Sequence, residues 1–145
     1  MTDPVFVDTN VFVYAADAGD AEKQYRASLW LAELWRSRLG RISFQVLQEF
    51  FVTVTHKKPD IRDQARAQVR DLLAWRPVVT NALILEQAWR MQDRFKLSFW
   101  DALIVSAAKS ADCHWLLTGD LQANQNLDGV TVINPFRHSP DHLSP

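Results

Sequence analysis

The chain has a single cysteine, Cys113, so it can hold neither an internal disulfide nor a thiolate metal cluster. Next to Trp115 and Leu116, that thiol reads as buried and inert. No apolar run approaches the ~18 residues of a membrane-spanning helix. The start Met1-Thr2-Asp3-Pro4 lacks the basic segment and apolar core of a signal peptide. A soluble, cytoplasmic protein is the expectation. Neither sign of charge dominates: the net charge of −1 offers no global attraction to nucleic acid. No internal repeat is visible.

What is present is a globular composition. Hydrophobic residues at 48% and charged residues at 23% exclude large-scale disorder. At 145 residues the chain can bury one substantial core. We assign a single domain to residues 1–136 and expect the polar, proline-bearing stretch 137–145 to form a loose tail. Near-neutral charge still permits a local basic face. Arg62, Arg66 and Arg70 recur at i, i+4 and i+8 on one helical stripe. Asp63 and Asp71 nearby fit an ordinary solvated face equally well.

Strand and helix patterns alternate along the chain. Val5 to Val7 reads as a buried strand ending at Asp8. Asp20 is placed to cap a helix that runs toward Arg38, with Tyr25, Leu29, Ala32 and Trp35 on its apolar face and Gly40 as its stop. Arg41-Ile42 leaves room for a very short strand. Ser43 then caps a helix with Leu47, Phe50, Phe51 and Val54 inward and Gln45, Glu49, Thr53 and His56 on another side. A helix from about Ile61 to Ala74 follows, then a brief strand at Val78-Val79. Ile84, Ala88, Met91 and Phe95 mark an amphipathic helix, and Ala102 to Ala108 one buried on most sides. His114 to Leu117 and Val130 to Ile133 are the last strand candidates. Such alternation predicts an α/β fold: three α/β/α layers around a short-stranded central parallel sheet. In open α/β sheets the ligand crevice lies beyond the carboxyl ends of the strands.

Four acids stand at or beside these element boundaries. Asp8 closes the first strand, Glu49 interrupts an apolar helix, Asp101 heads the buried helix, and Asp120 follows the strand ending at Leu117. Each has an ordinary structural explanation. Asp8 can start a turn or cap a short helix, Glu49 can face water, and Asp120 can belong to a loop. Asp101 has capping-box spacing from Ser98. Together they suggest more, because carboxylates gathered in one pocket cannot all stay ionised without a cation among them.

These residues resemble the PIN-domain ribonucleases, and among them the VapC-type toxins of bacterial toxin–antitoxin pairs. The resemblance rests on Phe6-Val7-Asp8-Thr9-Asn10-Val11 and on Ser43 to Phe51 with Glu49. It continues through Leu97-Ser98-Phe99-Trp100-Asp101-Ala102-Leu103-Ile104 and Leu117-Thr118-Gly119-Asp120-Leu121-Gln122. It spans nearly the whole chain, and Asp8, Glu49, Asp101 and Asp120 match the four acidic positions of the family. Related sequences often carry Glu-Asp after the Thr. Here Gly119-Asp120 removes one charge.

The resemblance implies a PIN-like fold and a metal-dependent endoribonuclease acting as a toxin. All-carboxylate donors suit Mg²⁺ or Mn²⁺, and no His pair offers zinc spacing. Asp8 and Asp101 would be direct ligands. Glu49 and Asp120 would act through water, hold a second ion or position the attacking water, while Asn10 and Thr118 orient carboxylates. A homodimer and a VapB-like antitoxin, whose tail enters the acidic groove, are also implied. Arg62, Arg66 and Arg70 would touch RNA or antitoxin. Two alternatives stand beside this reading. One is a phosphatase or phosphotransfer domain with Asp8 as nucleophile, although Asn10 stands where such phosphatases carry a second Asp. The other is a catalytically silent PIN scaffold.

Overall fold

Three consecutive apolar residues, Val5–Val7, form an inner strand, β1, and all three are fully buried. The structure, a computed structural model, describes residues 2–143. β1 pairs in parallel with Gly40–Arg41 (β2) on one side and with Trp115–Leu117 (β3) on the other. β3 pairs in parallel with Val130–Ile133 (β5), giving the order β2-β1-β3-β5-β4. The last strand, Asn126–Leu127 (β4), runs antiparallel to β5. Helices flank this sheet in the expected α/β arrangement. β4 is an addition that departs from a purely parallel sheet. It forms a hairpin whose turn, Asp128-Gly129, has φ of 56° and 95°, as two-residue hairpin turns require.

The helices are Thr9–Ala15 (α1), Ala21–Ser37 (α2), Phe44–Lys57 (α3), Arg62–Leu72 (α4), Ala82–Phe95 (α5) and Phe99–Ser110 (α6). Side-chain caps define five of the six starts, Asp8 capping α1 through the Thr9 amide. Asp20, Ser43, Asn81 and Ser98 each accept a hydrogen bond from the backbone amide three residues on. α1 packs on α2 and α3, α3 on α4, and α5 on α6. Ala102 to Ala108 are all buried, as the nearly continuous apolar run predicts. No helix among the described residues is long and apolar enough to cross a membrane.

Several expectations are corrected. α2 buries Ala27, Trp30, Leu31 and Leu34, whereas Tyr25, Leu29 and Trp35 are exposed, Tyr25 by 64%. Apolar residues lie on two adjoining stripes of this helix, and periodicity alone does not choose between them. Burying Trp30 also satisfies its indole N–H, which donates to the His138 carbonyl at 2.7 Å. α2 ends at Arg38 as expected, but the stop is Arg38 itself, in the left-handed region at φ 61°, rather than Gly40. Gly40 instead sits in β2, where a Cβ would run into the Trp75 ring. Val78-Val79 is not a strand. Val78 makes one parallel bridge to Ser43, and Val79 is exposed. Past residue 136 the described chain makes contacts of its own. Besides the Trp30–His138 bond, Pro140–Leu143 form a 3-10 turn and Leu143 packs on the core. Residues 144–145 of that tail lie outside the described residues.

Candidate active site

Asp8 emerges from the carboxyl end of β1 and caps α1, so its carboxylate sits where strand hands over to helix. Its Oδ1 accepts the Thr9 backbone N–H at 2.7 Å. Its Oδ2 accepts the Thr118 hydroxyl at 2.9 Å and the Asn10 amide at 3.3 Å. Only 6% of the residue is exposed. Burial pushes its carboxyl up to about 7. Nearby Asp120 and Glu49 add to the rise, and the Thr9 and Thr118 hydrogen bonds oppose it.

Thr118 is fully buried just beyond β3, the strand beside β1. Its oxygen also accepts from Asn10 Nδ2 at 2.9 Å and from the Asp120 amide at 3.1 Å. Asn10 completes a clamp between α1 and this loop. Its Oδ1 accepts the Gly119 N–H at 2.9 Å, and its Nδ2 reaches Asp120 Oδ2 at 3.3 Å. A Cβ on Gly119 would lie 2.5 Å from the Phe136 ring, which packs edge-on against Tyr14. The ring therefore occupies the room that a second acid before Asp120 would need.

Glu49 projects from the middle of α3, where its Oε1 accepts the Thr9 hydroxyl at 2.8 Å and the Gln45 amide at 3.4 Å. The same Gln45 amide donates to the Trp100 carbonyl at 3.3 Å, which links α3 to the head of α6. Asp101 lies in the first turn of α6. Ser98 Oγ accepts its backbone N–H at 3.1 Å, so the serine half of the expected capping box forms. Among the described residues, the carboxylate does not return a bond to the Ser98 amide. It lines the cavity instead.

Asp8, Glu49, Asp101 and Asp120 all line one cavity of about 770 Å³. Among the described residues, none of the four is ion-paired. Among the described residues Lys57 is the one cationic side chain on the wall, and Asp17 adds a fifth acid. Sequence reasoning missed the parts played by Thr9, Tyr14, Asp17, Lys57 and Trp100. Asn10, Val13, Tyr14 and Asp17 recur at helical spacing, a signal that was present. Arg62, Arg66 and Arg70 are exposed on α4, but they do not line the cavity, and Arg66 pairs with Asp63 at 3.4 Å. Cys113 is 2% exposed, and burial pushes its thiol up to about 12.

The donors around the cavity fit a hard divalent cation in type, since they are oxygens of carboxylates, hydroxyls and amides. No three Asp, Glu, His or Cys side chains among the described residues converge as a ready-made cage.

The sequence profile of the PIN domain matches residues 5–126. The chain belongs to the PIN-domain family. Solved structures share the fold of this PIN domain. A toxin–antitoxin complex from Klebsiella pneumoniae superposes with a TM-score of 0.60 at 19% identity, covering 90% of this chain and 97% of the other. VapBC2 from Rickettsia felis, bound to a promoter DNA fragment, gives 0.60 at 18% identity over 90% and 97%. The Sarcin-Ricin loop cleaving toxin VapC20 from Mycobacterium tuberculosis gives 0.57 at 24% identity over 80% and 91%. No curated protein matches the sequence.

Proposed function

We propose that this PIN domain is a metal-dependent endoribonuclease and the VapC-type toxin of a toxin–antitoxin pair. One observation carries the reading. Four carboxylates from separate elements line a single cavity beside the ends of β1 and β3, with no ion-pair partner of their own among the described residues. Two of the solved structures that share its fold are toxin–antitoxin assemblies and one is an RNA-loop-cleaving toxin, which supports the same class.

In this reading Asp8 and Asp101 would hold Mg²⁺ or Mn²⁺, and Asp120 would act on it through water. A bound divalent ion would neutralise the phosphodiester and acidify water for attack. The residues of the chain do the positioning. Thr118 and Asn10 fix the Asp8 carboxylate, and the Thr118 and Thr9 hydrogen bonds favour its ionised form. Thr9 and Gln45 aim Glu49 into the same space, where it can accept a proton from the attacking water. Lys57 can take a neighbouring RNA phosphate.

The partners follow from the same reading: an RNA substrate, a VapB-like antitoxin and a second copy of the chain, in the cytoplasm. A basic side chain from the antitoxin tail would pair with this acidic wall and compete with the cation. No observation favours the phosphotransfer alternative.

Induced expression of wild type, Asp8→Asn and Asp101→Asn, followed by mapping of cleaved RNA ends, tests the proposal. Growth arrest with defined cuts is expected for wild type alone. Purified wild type should lose cutting in EDTA and regain it with Mg²⁺ or Mn²⁺. The same cut sites in wild type and Asp101→Asn, or full cutting in EDTA, would overturn it.

A further inference from the structure

We infer that Trp100 is a stacking platform for an unpaired base next to the scissile phosphodiester. The inference rests on the ribonuclease reading and names the form of RNA that the site accepts. Trp100 is 60% exposed, although it lies in the first turn of a helix whose seven residues after Asp101 are buried. Among the exposed large apolar side chains, only Trp100 and Val52 line the cavity that holds the four carboxylates. An indole left in water beside a charged site has no role in the core.

The position of the ring is set by its neighbours. Phe99 meets it edge-to-face, with centroids 5.2 Å apart and planes at 74°. The Trp100 carbonyl is held by Gln45, a residue only 8% exposed, whose amide also holds Glu49. Asp101 is the next residue, so ring and carboxylate share one helical turn and keep a fixed separation. A braced aromatic surface loses little freedom on binding, which makes it an efficient contact.

The chemistry selects an unpaired nucleotide. The carboxylate wall repels phosphates, whereas an indole face is uncharged and accepts the π-face of any base. In a paired stem, bases are stacked on one another and their faces are closed. Loops and single strands leave them free. Trp100 therefore supplies an attachment point that does not require the cation, and it favours loops and single strands over duplex.

The test uses Trp100→Ala and Trp100→Phe in the full chain. Binding is read by the fluorescence anisotropy of a labelled single-stranded RNA in an Asp8→Asn background, which keeps the probe intact. A fully paired hairpin stem is the comparison probe. Trp100→Ala should weaken single-strand binding roughly 5- to 150-fold, the range of base–aromatic stacking, and Trp100→Phe should recover most of it. Stem binding should be weak in all variants. In otherwise wild-type enzyme, the loss should fall on KM rather than kcat. Trp100→Ala that binds and cuts like wild type would sink the inference alone. So would a loss of binding accompanied by a changed oligomeric state in light scattering, which would place Trp100 in a protein contact. Wild type that neither binds nor cuts RNA would instead remove the ribonuclease reading, and this inference with it.

Discussion

The Thr118 hydroxyl donates to Asp8 Oδ2 at 2.9 Å, joining two buried residues 110 positions apart in the chain. Thr118→Val keeps the shape and deletes the hydroxyl. Asp8 then loses a donor that favours its ionised form, and Asn10 Nδ2 and the Asp120 amide lose an acceptor. The expected cost is about 1–3 kcal/mol of stability in urea denaturation. Calorimetric Mn²⁺ affinity should fall on the order of tenfold or more. Unchanged Mn²⁺ binding would show that Thr118 has no hold on the carboxylate.

Asp8 also makes stability depend on pH. Its folded pKa of about 7 lies above the ordinary 3.8, so the folded chain binds more protons than the unfolded chain between those values. The contribution of this group is full below about pH 4 and is lost as pH rises through about 7. Three pKa units correspond to roughly 4 kcal/mol. Asp8→Asn, which cannot ionise, should therefore melt above wild type at pH 8 in EDTA, and the gap should narrow towards pH 4. Mn²⁺ should raise the wild-type Tm and leave Asp8→Asn unmoved. A gap that does not vary with pH would refute the origin assigned here.

Thr9→Val removes the 2.8 Å bond that aims Glu49. Gln45, at 3.4 Å, is a weaker substitute. Turnover should drop roughly tenfold or more with folding intact. Single-turnover cleavage of one RNA by both proteins, with circular dichroism as a control, decides it. Equal rates would separate Glu49 from the chemistry.

Gly40→Ala forces a methyl into the Trp75 ring. That ring cannot easily retreat, because Phe12 and Trp35 meet it at 5.9 and 5.3 Å between centroids. Overpacking of this kind costs about 1–3 kcal/mol. The lost stability should appear as a lower denaturation midpoint, with the cleavage rate per folded molecule unchanged. A midpoint equal to wild type would mean that the aromatic cluster yields.

Elements with local signals were legible in the sequence. Val5 to Val7 and Val130 to Ile133 are apolar runs of strand length, and Asp20, Ser43 and Ser98 announce helix starts. The four acids stood out because most of them mark element boundaries, and the fold brings those boundaries to one cavity. The rotation of α2 was not legible. Tyr25 and Trp35 are as apolar as Trp30, and only the distant His138 carbonyl distinguishes them. β4 is two residues long, too short for periodicity, although Asp128-Gly129 was a usable turn signal. The exposure of Trp100 was hidden for a different reason: an aromatic residue beside an apolar helix reads as core until tertiary packing turns it outward.

The Phe136 ring over Gly119 also ties two positions together. A side chain at 119 needs the ring to move, and a smaller residue at 136 would take from Tyr14 and Lys23 the ring they pack against. Adding an acid beside Asp120 is therefore a change at two sites, and its charge arrives together with a loosened wall of the cavity.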